Sequence, residues 1–371
     1  PFIKAAASGS TQICQYFIDQ NMTIDYDQLS NNVFDLGSVS KDLFTLVVDR
    51  ARPSLRDKFL FRSLTPAIQK KNIELVDYLL SQKVPYDNIL FDAVQTHDVN
   101  TVNVILKYNS KPSFVNRKTE NGSALFIATK NNDISIIKRL LEIPGIELNV
   151  VDQRNYSIMM HVCEMNKRDA LKEFLNSGLA DTNTSSPQNG NSLLMQSIAV
   201  GNNEVAELLI KYDKTDINAQ NYQGQTALTI AANRNSLSIV DLLINNPKFS
   251  AEDSRLNYAF YISTGEVSKH LIQAKEIDVN YRNVQRNNNN IPGTFVTAFP
   301  NTIISTNSDV YDTPLMHAAD TNNINIIDLI VNHPSFDKER SRIDSAILIS
   351  LQRNSPQMFN KLVDLDGRDI N

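Results

Sequence analysis

A chain of 371 residues with 42% hydrophobic and 21% charged residues can bury a core along its length and is too apolar for a disordered protein. A net charge of -5 offers no basic footprint to nucleic acid or anionic lipid, and no apolar run approaches the roughly 18 residues that cross a bilayer. Two cysteines, Cys14 and Cys163, exclude a disulfide-built secreted scaffold, so an intracellular, cytoplasmic protein that meets other proteins is expected.

Single cores rarely exceed about 250 to 300 residues, so a chain this long is searched first for internal repeats. In chain order, weak units are anchored at Ala5, Leu36, Ala67 and Ala93. A strong unit follows at Ser123-Ala124-Leu125, with Ala128, Ile136-Ile137 and Leu140-Leu141. Weaker ones lie at Val162 and Ser197. The clearest is Thr226-Ala227-Leu228-Thr229-Ile230-Ala231-Ala232, followed by Asn235, Ile239-Val240 and Leu242-Leu243. Beyond Ala259, Thr313-Pro314-Leu315 continues into Ala318-Ala319, Ile326-Ile327 and Leu329-Ile330, and a last anchor is Ser350. Each unit predicts two short amphipathic helices, the first rich in small residues and the second apolar on one face. The spacing is mostly ~31 to 35 residues, which makes about eleven helix-turn-helix units.

These residues resemble the ankyrin repeat, best at Gly224 to Ile244 and Thr313 to Val331, and the resemblance covers nearly the whole chain. It implies an all-α solenoid of ankyrin type. The family's motif histidine is replaced by Phe126, Met160, Met195, Thr229 and Met316. Its break glycine is replaced by Asn132, Asn166, Asn235, Asn322 and Asn354, with Gly9 and Gly201 in two other units. A helix end of this kind takes a left-handed residue, and asparagine is the next choice after glycine. Asp216-Ile217-Asn218, Asp278-Val279-Asn280 and Glu147-Leu148-Asn149 resemble the family's exit into the next turn, where a polar side chain bonds loop backbone. This Asn-rich composition resembles that of ankyrin arrays from protists with AT-rich genomes.

Residues 283–312 break the period with the run Asn287 to Asn290 and a β-prone segment from Ile291 to Pro300. The expected organisation is repeats over 1–282, an inserted loop or partner-binding arm over 283–312, and repeats over 313–371. The chain opens at Pro1 within a unit and closes on the exit Asp369-Ile370-Asn371, so the array is expected to continue past both ends.

No residue set converges on chemistry. His97, His161, His270, His317 and His333 are spread through separate units, apart from the last two, and have no metal-like spacing. Cys14 and Cys163 read as buried small residues, and Glu252 and Asp253 as a solvated face. Phosphate loops and nucleophile elbows are absent. No catalytic residue, metal or cofactor is expected.

The resemblance implies a non-catalytic scaffold that binds protein on the concave face of the solenoid, free or within a large cytoskeletal assembly. The alternative is the ankyrin segment of a larger channel or effector. The expected contact residues are Gln153, Arg154, Tyr156, Tyr222, Gln223 and Gln225 on the turns, and Glu164, Met165, Asn233, Arg234, Asp320 and Thr321 at the first-helix exits. Neither nucleic acid nor membrane insertion is expected.

Overall fold

The computed structural model describes residues 2–25, 39–148, 151–152, 155–284 and 311–367. Among them are twenty-two helices and four two-residue strands. The chain begins with α1 (Phe2–Ala7), α2 (Thr11–Asp19) and α3 (Lys41–Val48). Next come α4 (Pro53–Gln69), α5 (Ile73–Ser81), α6 (Ile89–Gln95), α7 (Val99–Tyr108) and the single turn α8 (Pro112–Val115). The hairpin β1 (Lys118–Thr119) and β2 (Gly122–Ser123) leads into α9 (Ala124–Asn131) and α10 (Ile134–Leu141). Helices α11 (Ile158–Glu164) and α12 (Arg168–Ser177) follow, and further pairs are α13 (Leu193–Val200) with α14 (Asn203–Lys211), α15 (Ala227–Asn233) with α16 (Leu237–Ile244), and α17 (Leu256–Ile262) with α18 (Gly265–Leu271). Strands β3 (Asn283–Val284) and β4 (Tyr311–Asp312) precede α19 (Pro314–Asp320), α20 (Ile324–Val331), α21 (Ile343–Gln352) and α22 (Pro356–Asp366).

The chain divides into two compact units, Pro1–Ile158 with Asp169–Ala180, and Met159–Arg168 with Asp181–Asn371. In the first unit the leading helices α4, α6 and α9 stack in one row, and α2, α3, α5, α7 and α10 in a second. The second unit repeats the plan, with α13, α15, α17, α19 and α21 in one row and α14, α16, α18 and α20 in the other. Helix α3 therefore occupies a second-helix place; Leu36, the anchor expected before it, lies outside the described residues. A helical repeat is the fold, as the period implies.

The second helices carry buried Ile136, Ile137 and Leu140, then Ile239, Val240 and Leu243, then Ile326, Ile327 and Ile330. That i, i+1, i+4 spacing makes one apolar stripe, and each such side chain contributes about 1.5–3 kcal/mol on burial. Small Ala227, Ala231 and Ala232 in α15 let neighbouring first helices approach. Leu242, part of the apolar run, is only half-buried beside the buried Leu243.

Between paired helices the backbone turns left-handed at Asn132, Asn166, Asn235, Asn322 and Asn354, with φ from 51° to 63°, and at Gly201 with φ 86°. The turned amide then reaches back, as Ser236 N–H does to the Ala231 carbonyl at 3.0 Å. Lys71 and His97 adopt the same conformation, both with φ 58°, at breaks that carry no glycine or asparagine signal. His97 Nδ1 lies 2.9 Å from Asp133 Oδ2 of the next pair.

Of the replaced motif histidines, Thr229 keeps a polar role. Its hydroxyl accepts from the Thr226 amide at 2.8 Å while Thr226 Oγ1 accepts from the Thr229 amide at 3.2 Å, a reciprocal cap on α15. Met160, Met195 and Met316 are buried packing residues instead.

Asparagine exits tie successive turns. Asn218 Nδ2 donates to the Lys248 carbonyl at 2.7 Å, and its Oδ1 accepts from the Ser250 amide at 3.1 Å. Asn116 and Asn183 make the same pair of bonds 29 to 33 residues ahead. Asn149 lies outside the described residues. Before α17 and α21 the hairpin gives way to a compact turn closed by left-handed Arg255 and Arg342. There the buried hydroxyls of Ser254 and Ser341 donate to Asn218 and Asn280 Oδ1.

Candidate functional site

The turn residues expected to meet a partner fall into three groups. Gln153 and Arg154 lie outside the described residues. Tyr156, in the first unit, is half-buried, and its amide donates to Asp152 Oδ1 at 3.0 Å. In the second unit a strand bridge between Gln220 and Thr226 holds up a tip around buried Asn221. Asn221 Oδ1 accepts from the Gln223 and Gln225 amides at 3.0 and 2.8 Å, and its Nδ2 donates to Gln225 Oε1 at 3.0 Å. Gln225 thus serves the turn, whereas exposed Gln223 does not spend its side chain there.

Tyr222 is 60% exposed yet held in place. Its amide donates to the Asn189 carbonyl at 3.1 Å, and its ring lies over Gly190, φ 73°, where a Cβ would come within 2.6 Å of the ring. Only glycine admits that approach.

The first-helix exits are largely bonded from repeat to repeat. Glu164 Oε1 accepts from Gln196 Nε2 at 3.0 Å, and an Arg234 Nη donates to the Ala199 carbonyl at 2.6 Å. The Asp320 side chain, 8% exposed, pairs with Arg353 at 2.6 Å. Met165 is half-buried, and Thr321 is exposed with its hydroxyl donating to the His317 carbonyl at 2.8 Å. Asn233 is exposed. Charge at these exits therefore serves stacking first; Arg234 is exposed but tied to the preceding repeat, and the exposed side chains not tied in this way are Tyr222, Gln223, Asn233 and Thr321.

One cluster escaped the sequence reading. The Arg255 guanidinium sits 4.9 Å from the Tyr258 ring and donates to the Gly224 carbonyl at 2.7 Å. Tyr258 stacks on Tyr261, and the Tyr261 ring lies 4.6 Å from His317. The Tyr261 hydroxyl donates to the Asp312 carboxylate, whose Oδ1 is buried without a hydrogen-bond partner. Burial pushes the Asp312 carboxyl up to about 6, against the lowering effect of the Tyr261 bond. Burial likewise lowers the His317 imidazole and raises the Tyr261 phenol. The run Tyr258-Ala259-Phe260-Tyr261 was the available signal, but aromatic residues at this spacing look like ordinary core.

Among the described residues no group of three or more His, Cys, Asp or Glu could hold a metal. Cys163 is fully buried, which raises its thiol far from thiolate formation. Two open grooves, of about 410 and 540 Å³, flank the loop Gln273 to Glu276; His270, Lys275 and Glu276 line the first, and Lys275, Asp328 and His333 the second.

Stacked helix pairs with projecting turn tips define a repeat protein of the interaction-module class. The description "ankyrin repeats" matches the chain over residues 64–152, 125–221 and 201–283, more than half its length, and the chain belongs to the ankyrin repeat family. Ankyrin repeats mediate protein–protein interaction and are typically non-catalytic. The chain is 28% identical over 169 residues to the nuclear factor NF-kappa-B p105 subunit of Gallus gallus, which takes in 42% of this chain and 16% of that protein. It thus spans less than a fifth of that relative. Similar solved structures include the ankyrin repeat domain of Bcl-3, described as a unique member of the IkappaB protein family, with TM-score 0.47 and 18% identity over 57% of this chain and 97% of that one. Another is EF0377, an ankyrin repeat protein, with TM-score 0.44 and 26% identity over 52% and 100% of the two chains. No helix among the described residues is long and apolar enough to cross a membrane.

Proposed function

We propose that this chain is a non-catalytic scaffold that binds protein along the row of turn tips and first-helix exits, the concave face in the family's terms. The observation that carries the reading is Tyr222: an aromatic side chain 60% exposed, yet fixed by its own amide and by Gly190 beneath it. A preorganised tyrosine gives up little conformational freedom on binding and is among the side chains that most often dominate interfaces. Gln223 beside it, with Asn233 and Thr321 at first-helix exits, supplies polar contacts along the row, and the setting that fits is an intracellular assembly such as cytoskeleton. A second reading makes this chain the ankyrin segment of a longer protein whose activity lies elsewhere; it rests on the match to p105, which takes in only 16% of that protein.

The test is affinity capture of a partner from the source cell, followed by calorimetry. Tyr222→Ala is expected to weaken the partner by ~2 kcal/mol, roughly thirtyfold, with the fold intact. Unchanged affinity would move recognition away from the turn tips.

A further inference from the structure

Strands β3 and β4 are fastened to α17 at one buried carboxyl. Asp312 stands directly before Thr313, the cap of α19, and the corresponding residues before the caps Ser192 and Thr226 are Asn191 and Gln225. Those two are neutral amides tied to each other through Asn221, whose Nδ2 donates to Asn191 Oδ1 at 2.6 Å and to Gln225 Oε1 at 3.0 Å. At Asp312 an acid takes the place, and it is 2% exposed. Its Oδ2 accepts from the Tyr261 hydroxyl of α17, and its Oδ1 is buried with no hydrogen-bond partner. The Asn283 side chain, opposite Asp312 in the strand pair, bonds the same hydroxyl. One phenol thus holds both strands.

Every element around Asp312 bears on its charge. From α17 come Tyr261 and, stacked on it, Tyr258. From α19 come His317, whose ring lies 4.6 Å from that of Tyr261, and Asp320; from the turn before α21 comes Arg342. The Tyr261 bond, the Thr313 amide and Arg342 favour the ionised carboxylate, whereas burial, the largest effect, and Asp320 oppose it, and the carboxyl stands at about 6. An ionised Asp312 is therefore better placed in water than in this setting. The ladder it belongs to has only two residues in each strand, Asn283 and Val284 against Asp312 and Tyr311. So short a pair is marginal by itself, and its attachment to α17 decides how firmly it is held.

We propose that Tyr261 and Asp312 form a pH-responsive latch: the protonated carboxyl fastens β3 and β4 to α17, and its ionisation, the proton passing to water, loosens the strands while the helices stay folded. The closed latch holds a proton that the open one releases at the ordinary carboxylate range. Fastening is therefore strongest near pH 4, weakens as pH rises to about 6, and stays weak above. The neutral Asn191 and Gln225 give the neighbouring turns no such dependence.

Amide hydrogen exchange of the 371-residue chain and of its Asp312→Asn variant reads the latch directly. Opening constants of the strand amides at 283–284 and 311–312, corrected for the intrinsic exchange rate, are measured from pH 4 to 8 beside those of α15. Above pH 6 the strand amides are expected to open more readily than α15 by about tenfold or more. The ratio of strand opening constants, native chain over Asp312→Asn, should grow about tenfold per pH unit from about pH 4 to 6, reach about a hundredfold and then level off. Taking the ratio removes His317, which both chains share and whose lowered imidazole acts with the opposite sign. Tyr261→Phe, which keeps the ring and loses the hydroxyl, should raise strand opening at every pH. A ratio that does not change with pH overturns the proposal, as does native-like opening in Tyr261→Phe. Strand amides that open no more often than those of α15 overturn it too, because the strands then open only with the whole unit.

Discussion

Asn280 Nδ2 donates to the Ser335 carbonyl at 2.7 Å, across 55 residues of chain. The same bond from Asn218 spans only 30 residues, to Lys248 at 2.7 Å. The exit asparagine therefore finds the next turn as it does elsewhere in the unit, although residues 285–310 intervene.

Because Asn280 Oδ1 also accepts from the Asp337 amide at 2.9 Å and the buried Ser341 hydroxyl, three groups depend on one side chain. Asn280→Ala is expected to lower stability by ~1–3 kcal/mol, the penalty for buried partners left unmade. Urea unfolding of the variant checks this, and Asn218→Ala is expected to fall in the same range.

Strands β3 and β4 place Val284 opposite Tyr311, so the two ends of the intervening segment are already paired. Replacing residues 285–310 by Asn-Gly, which suits a two-residue hairpin turn, is expected to preserve helical content and the melting transition. Circular dichroism of an unfolded chain would show that the segment is structural.

Asp312 predicts a pH signature of defined sign. Its folded pKa, about 6, lies above the ordinary 3.8, so the folded state holds the extra proton. Stability from this group falls as pH rises from about 4 to 6 and stays reduced above, by up to ~3 kcal/mol. His317 acts oppositely: burial lowers its pKa, so its contribution is lost as pH falls below the usual 6.5. Asp312→Asn keeps an oxygen for Tyr261 and is expected to raise the melting temperature at pH 8 while leaving it little changed at pH 4. Equal shifts at both pH values would refute the assignment.

Core and surface substitutions should separate. Leu243→Ala is expected to cost ~2–5 kcal/mol through a cavity, and half-buried Leu242→Ala less. Arg234→Ala loses its bond to the Ala199 carbonyl and should affect stability as well as any partner, unlike Tyr222→Ala, whose effect on stability should stay within about 0.5 kcal/mol. Thermal melts of the four variants order them.

Much of the molecule was legible before any coordinates. The left-handed asparagines, the apolar second helices and the pairing of helices follow from patterns within one unit, where propensity and periodicity act over a few residues. Lys71 and His97 escaped notice because neither residue type marks a left-handed break; the surrounding helices impose it.

The sequence by itself determined the repeat, its period and its family, since each unit encodes the same two helices and break locally. Tertiary structure alone decided which side chains remain available. Glu164, Arg234 and Asp320 look equally exposed in sequence to Tyr222 and Gln223, but partners 32 to 35 residues away bind the first three. The burial of Asp312 beside Tyr261 likewise depends on whether a neighbouring repeat covers the position, and no pattern within one unit carries that information.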